Sequence, residues 1–320
     1  MFYLIAGGAG FLGSHLCERL LRSGHRVWCL DNFLTGRKKN IEHLLKEKNF
    51  LFTKLDITQP FPEEITSTKI DGIFHLASPA SPNKNSPKSY MHFPLETMLV
   101  NSLGTYNLLN LTKKHQAKFL FASSSEIYGE PLIHPQTENY FGNVNPNGPR
   151  SCYDEGKRFG EAISFTYLRK DSLDVRIVRI FNTYGPRMDP EDGRVVSNFI
   201  VAGLLNKPLV LYGKGSQTRS FCYVDDLVSG LILAMEKSKT KGEVFNLGND
   251  EEYSVKEMAH LVREVMGKKL AIAYSSLPPD DPSRRKPNLE KARRILGYNP
   301  KVKILDGLLK TIEYFKEELT

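Results

Sequence analysis

The chain has 320 residues, 40% of them hydrophobic and 25% charged, with 44 Lys and Arg against 36 Asp and Glu for a formal charge of +8. That length exceeds the usual single domain, the composition is that of a soluble globular protein, and no run of 18 apolar residues is present to span a membrane. The basic residues are spread along the chain apart from short runs such as Arg37-Lys38-Lys39, so they read as a solvated surface, and neither a nucleic-acid nor a membrane partner is expected.

A strand pattern starts at residue 2 (Phe2-Tyr3-Leu4-Ile5-Ala6) with no basic leader before it, which makes a cytoplasmic location the expectation. Gly8-x-Gly10-x-x-Gly13, overlapped by Gly7-x-x-Gly10-x-x-Gly13, follows at once and opens a helix predicted over 12–23. Glycines are needed there because a side chain would block both the tight turn and the approach of a pyrophosphate to the helix N-terminus. The second strand, 26–30, leads into Asp31, where a carboxylate accepts from an adenosine ribose and repels a 2′-phosphate, so NAD is expected over NADP. Arg37 and Lys38 are the nearby cations able to oppose that preference. A third strand, 50–55, precedes Asp56, which suits an adenine amino group or, equally, a turn before Thr58. Strands at 72–76, 118–122 and 175–180 alternate with helices at 95–114 and 153–170, the rhythm of a doubly wound parallel α/β sheet of Rossmann type. Ligands of such a sheet lie at the carboxyl ends of its strands.

Beyond residue 180, Pro and Gly punctuate 184–215, with a helix predicted over 197–205. A helix across 221–238 and a strand at 244–247 return to the sheet, and 254–267 and 289–319 read as helical around a connector at 277–287. Residues 1–180 plus about 219–247 therefore form the cofactor-binding domain, and 181–218 plus 248–320 a smaller, discontinuous domain that covers it. The four cysteines (Cys17, Cys29, Cys152, Cys222) are widely spaced, fit no metal-ligand pattern and read as reduced, buried thiols; no metal is expected.

The candidate chemistry sits at Tyr153 and Lys157, four apart on one helix face. Tyrosine ordinarily titrates near ~10, and a neighbouring ammonium and a positive nicotinamide ring both favour the phenolate, making Tyr153 a base. The fifth strand runs out into Ser123-Ser124-Ser125-Glu126, at the expected crevice. Ser124 is placed to orient a sugar hydroxyl, and Glu126 to carry a proton if a dry pocket raises its pKa. The alternative is that these side chains only satisfy backbone groups in a turn.

Together these residues resemble the extended short-chain dehydrogenase/reductase family, over almost the whole chain, and within it most nearly the UDP-glucuronate decarboxylases. The stretches DNFLTGRKKNIEH, HLASPASP, NPNGPRSCYDEGKR, RIFNTYGPRM, GSQTRSFCYVDDLV and DDPSRRKP carry the likeness. The resemblance implies a Ser124–Tyr153–Lys157 triad, the Ser125-Glu126 pair of decarboxylases, and Arg285 as the residue that holds a substrate carboxylate. It places NAD on Gly7, Gly10, Phe11, Leu12, Gly13, Asp31, Asn32, Thr35, Gly36, Asp56, Ile57, Leu76 and Ser78 with Tyr153 and Lys157. It places the UDP-sugar on Asn182, Arg194, Val195, Tyr212, Gln217, Arg219 and Arg285. Ser124 stands where threonine is more usual, and Leu99-Val100 where decarboxylases often have Lys-Thr. The implied reaction is NAD-dependent conversion of UDP-glucuronate to UDP-xylose through a 4-keto intermediate. The rivals are 4-epimerisation and 4,6-dehydration from the same oxidation, and, from another class, an NAD-sensing regulator, against which the intact Tyr–Lys pair argues. Apolar residues at helical spacing, including Phe159, Ile163 and Tyr167, suggest with the resemblance a homodimer joined through a four-helix bundle.

Overall fold

Alternating apolar runs and amphipathic stretches produce the expected layers in the first half of the chain. The computed structural model describes residues 1–278 and 280–319; Pro279, inside the predicted connector, and Thr320 lie outside the described residues. Strand β1 (Phe2–Ala6) is buried at every position and feeds α1 (Phe11–Arg22), whose Leu16, Cys17 and Leu20 face the sheet. There follow β2 (Arg26–Asp31), β3 (Phe50–Lys54), the short α2 (Glu63–Ser67) and β4 (Gly72–His75). The long helix expected over 95–114 is three pieces: α3 (Pro94–Leu99), a π-turn at Val100–Gly104, and α4 (Thr105–His115). Strand β5 (Lys118–Ser124) carries the serines, α5 (Ser151–Asp171) the Tyr–Lys pair, and β6 (Asp174–Ile180) ends the first half.

The second half is richer in short strands than the sequence suggests. After β7 (Thr183–Tyr184), α6 (Val195–Leu204) and β8 (Leu209–Tyr212), the helix expected across 221–238 starts late. It is preceded by β9 (Thr218–Ser220) and β10 (Cys222–Tyr223), and α7 runs only over Val224–Glu236. Strand β11 (Val244–Leu247) rejoins the sheet, and β12 (Glu252–Ser254) enters α8 (Val255–Met266) through a capping box between Ser254 and Glu257. Strand β13 (Ile272–Ser275) and the two-residue β14 (Arg284–Arg285) flank the connector. The helical stretch expected over 289–319 is broken: α9 (Glu290–Leu296) stops where Gly297 turns left-handed at φ 69°, and α10 (Ile304–Leu319) begins after Pro300.

Seven strands form one parallel sheet in the order β3-β2-β1-β4-β5-β6-β11. Strand order reverses between β1 and β4, so the crevice opens at the carboxyl ends of those strands. The pleat sends alternate residues of β1 to opposite faces: Tyr3 and Ile5 join one core cluster with α1 and α7, Phe2 and Leu4 another with α4. Helix α5 lies so close on β5 that a Cβ at Gly160 would fall 2.2 Å from the Phe121 ring. Three small sheets, β12-β9-β14, β13-β8 and β10-β7, support the opposite wall of the crevice. Among the described residues no helix is long and apolar enough to cross a membrane.

Candidate active site

The glycine loop is packed on two sides and open on the third. Gly7 has φ 81°, and a Cβ there would sit 2.6 Å from the Ala77 nitrogen; one at Gly13 would sit 2.1 Å from the Gly7 carbonyl oxygen. A Cβ at Gly10 would meet the Gly7 carbonyl oxygen at 3.2 Å, a tight contact but far milder than the one at Gly13. The free space there, at the start of α1, is what a pyrophosphate needs. The open side leads into two cavities. One, of about 120 Å³, is walled by Asp31, Asn32, Gly36, Asp56 and Ile57. The other, of about 190 Å³, runs from Phe11, Leu12 and Gly13 to Tyr153 and Lys157, and Gly7, Gly10, Thr35, Leu76 and Ser78 line both. These residues fit a dinucleotide.

Asp31 accepts from the backbone N–H groups of Ala9 (2.9 Å) and Phe33 (2.8 Å), which fixes the carboxylate at the cavity wall. Burial nevertheless pushes its pKa up, ahead of those two hydrogen bonds. Arg37, the cation that could oppose the NAD preference, is ion-paired to Glu318. Asp56 serves its turn: Oδ1 accepts from Thr58 N (2.9 Å) and Thr58 Oγ1 (2.7 Å), and Oδ2 accepts from Asn32 (3.1 Å). Leu99 and Val100 line the cavity that Asp31 walls, which Tyr153 does not line.

Around Tyr153 the protein's own groups pull against the phenolate that the sequence reading expects with a nicotinamide ring alongside. The ring is buried and stacked on Tyr90, with centroids 4.9 Å apart. Burial, then the negative charge of Glu126, push the phenol up, while a hydrogen bond with Ser124 opposes them. Lys157 donates to the Ala122 carbonyl at 2.9 Å, with its nitrogen 5.6 Å from the Tyr153 ring centroid. Burial lowers its pKa to about 7, so the ammonium is a weak aid to the phenolate. Burial and the Glu126 charge together favour the phenol form of Tyr153.

Glu126 is the electrostatic centre of the site. Its N–H donates to Ser124 Oγ at 3.1 Å, its Oε2 accepts from Tyr90 at 3.4 Å, and its Oε1 lies 3.7 Å from Arg285 Nη1. Burial pushes the carboxyl up, but Arg150, Arg285 and Arg194 outweigh it and hold Glu126 below the usual range. Ser125 is buried beside it on the cavity wall. Arg150, Tyr90 and the buried Asp154 were not singled out from the sequence; Arg150 donates to the Tyr90 hydroxyl at 3.1 Å and pairs with Asp281 at 3.4 Å. The signal was faint: Arg150 and Asp154 merely flank the Tyr153 motif.

Asn182, Arg194, Val195, Tyr212, Gln217, Arg219 and Arg285 all line a third cavity, of about 490 Å³. Val195 opens α6, whose free N–H groups suit an anion, and Arg194 donates to the Ala80 carbonyl at 2.6 Å. Arg219 is turned to the connector, donating to the Pro282 carbonyl (2.6 Å) and Asp281 (3.1 Å), and burial lowers its pKa to about 10. Arg285 and Glu126 line this cavity and the one holding Tyr153, and so mark where the two meet.

Residues 3–248 match the model of the NAD dependent epimerase/dehydratase family. UDP-glucuronic acid decarboxylase 1 of Xenopus tropicalis is 48% identical over 316 residues, covering 99% of this chain and 72% of that protein. UDP-glucuronic acid decarboxylase 3 of Arabidopsis thaliana is 46% identical over 320 residues, covering 100% and 90%. Among solved structures, UDP-glucuronic acid 4-epimerase from Bacillus cereus, in complex with UDP-glucuronic acid and NAD, superposes with a TM-score of 0.87. It is 30% identical over 99% of this chain and 100% of that one.

Proposed function

Since the chain belongs to the NAD-dependent epimerase/dehydratase family, we propose that it releases the carboxylate of UDP-glucuronate as carbon dioxide, by way of a 4-keto sugar, to leave UDP-xylose. Arg285 carries the choice of reaction. It is buried where the two cavities meet, and among the described residues the carboxylate within 4 Å of it is Glu126, at 3.7 Å and too far for a hydrogen bond, which places its guanidinium to meet a carbon-6 carboxylate. Bound NAD⁺ would supply a hydride acceptor for carbon 4, restored within the turnover, and a positive ring that favours the Tyr153 phenolate. Tyr153 takes the 4-hydroxyl proton, with Ser124 in hydrogen-bond reach to orient that oxygen. Once carbon 4 is a ketone the carboxylate lies β to it, and the electrons of the carbon 5–carbon 6 bond flow into the carbonyl. Hydrogen bonds from Tyr153 and Ser124 then stabilise the enolate oxygen.

This reading gives residues 1–180 and about 219–247 the cofactor, and 181–218 and 248–320 the UDP-sugar. It makes the working unit a homodimer, and four free, buried cysteines suit a cytoplasmic setting. The purified protein is to be incubated with UDP-glucuronate and with neutral UDP-hexoses, and product masses read. The expected result is loss of carbon dioxide from UDP-glucuronate alone. Loss of water, or an isomer of unchanged mass, would overturn the assignment in favour of dehydration or epimerisation.

A further inference from the structure

Decarboxylation consumes a proton. When the bond between carbon 5 and carbon 6 of the 4-keto sugar breaks, its electron pair becomes the enolate and carbon dioxide leaves. Carbon 5 must then take a proton that a substrate carboxylate does not bring. Some group in the buried site has to hold one at neutral pH. Glu126 faces the sugar end of both cavities, but three arginines keep it ionised, so alone it has nothing to give.

Asp154 is a second buried carboxyl that interacts with it. It follows Tyr153 in the first turn of α5, is 7% exposed, and sits within hydrogen-bond reach of the Glu126 carboxylate. Its Oδ1 is buried without a partner. Two carboxyl groups in that arrangement cannot both be ionised at low cost. We propose that Asp154 and Glu126 share a single proton, which Asp154 holds between turnovers and Glu126 passes to carbon 5. Both are then ionised, and the pair takes one proton from solvent, so the balance is substrate carboxylate plus one proton to carbon dioxide and a new carbon–hydrogen bond. Asp154 acts through Glu126 and is a positioning residue. The inference rests on the decarboxylase reading above.

The surroundings decide how the pair titrates. Arg150 before α5, Arg194 before α6 and Arg285 on β14 favour the single negative charge. Tyr90 donates to Glu126, Tyr153 and Cys152 flank Asp154 with burial-raised pKa values, and Asp192 is a further, half-buried carboxyl beside Arg194. Burial first, then the Glu126 charge, raise Asp154 to about 8, against the pull of Arg150 and Arg285. The value belongs to the pair. Below it the pair carries one proton, and above it none. Lys157, lowered to about 7, titrates separately and loses its ammonium before the pair loses its proton.

The test compares NAD-loaded wild type with Asp154→Asn and Asp154→Ser, following carbon dioxide release from UDP-glucuronate as a function of pH, with UDP affinity and thermal melting as controls. For Asp154→Asn, kcat should fall by about 10²–10⁴, with UDP affinity unchanged. The wild-type fall in kcat above pH ~8 should vanish in both variants. A variant that keeps the alkaline limb, or loses UDP affinity in step with kcat, overturns the shared proton and leaves Asp154 a packing role. Should Asn fail to fold, the Ser profile decides in the same way. A wild type that releases no carbon dioxide overturns the decarboxylase reading, and the shared proton with it.

Discussion

Arg285 is where a wrong substrate would cost most. A neutral sugar places a hydroxymethyl group where the carboxylate belongs and leaves the buried guanidinium, among the described residues, with Glu126 at 3.7 Å as its only carboxylate within 4 Å. Breaking a buried charge pair costs roughly 3–5 kcal/mol, and although Glu126 offsets part of that, UDP-glucose should be strongly disfavoured. Arg285→Ala should therefore lower UDP-glucuronate turnover by at least ~10²-fold. UDP affinity should hold, because the Val195 and Arg194 wall of the large cavity is untouched. Lysine should rescue poorly, lacking the fork that meets both carboxylate oxygens. Isothermal titration with UDP beside a carbon dioxide assay decides the matter. Equal losses in both would move Arg285 to the phosphates.

Among the elements, the glycine loop divides its labour, and single methyl groups separate the parts. At Gly13 an added Cβ strikes the Gly7 carbonyl at 2.1 Å, so Gly13→Ala should lower the melting temperature as well as NAD affinity. At Gly10 the added Cβ meets the same oxygen at 3.2 Å, so Gly10→Ala should lower melting far less than Gly13→Ala and still weaken NAD binding, by occupying the space of the pyrophosphate. A Gly10→Ala protein that binds NAD normally by fluorescence titration would place the dinucleotide elsewhere. This loop was legible in the sequence because its chemistry is local: strand, glycines, helix and Asp31 follow one another at short range. The seven-stranded sheet was legible for the same reason, through apolar runs at regular intervals. The two-residue strands β7, β10 and β14 were not, since so few residues show no period, and the π-turn at Val100–Gly104 hides inside an unbroken helical pattern. The break between α9 and α10 carried a signal in Gly297 and Pro300 that the apolar spacing outweighed. Asp154 stayed hidden because its meaning comes from Glu126, on another element, and the sense of the Tyr153 shift from burial that spacing does not reveal.

At the scale of the whole molecule the open question is the face that α3, α4 and α5 turn outward. Helix α5 packs with Tyr153, Gly156, Lys157, Gly160 and Ser164 inward, while Phe159 on the far side is 49% exposed. Leu95, Met98, Leu103 and Tyr106, on the neighbouring helical segment, are exposed as well. Large apolar side chains left in water forgo roughly 1.5–3 kcal/mol each relative to full burial. Several gathered on adjacent helices are what a second copy would cover, in a bundle of four helices built from two per chain. The same helix would then carry the Tyr–Lys pair on one face and the partner on the other. Wild type should therefore run at twice the chain mass in light scattering. Phe159→Asp, which puts a charge in the seam without touching either cavity, should run at the chain mass and still bind UDP. A monomeric wild type, or a Phe159→Asp dimer, would leave these side chains without a partner of this kind and return the homodimer to an unsupported expectation.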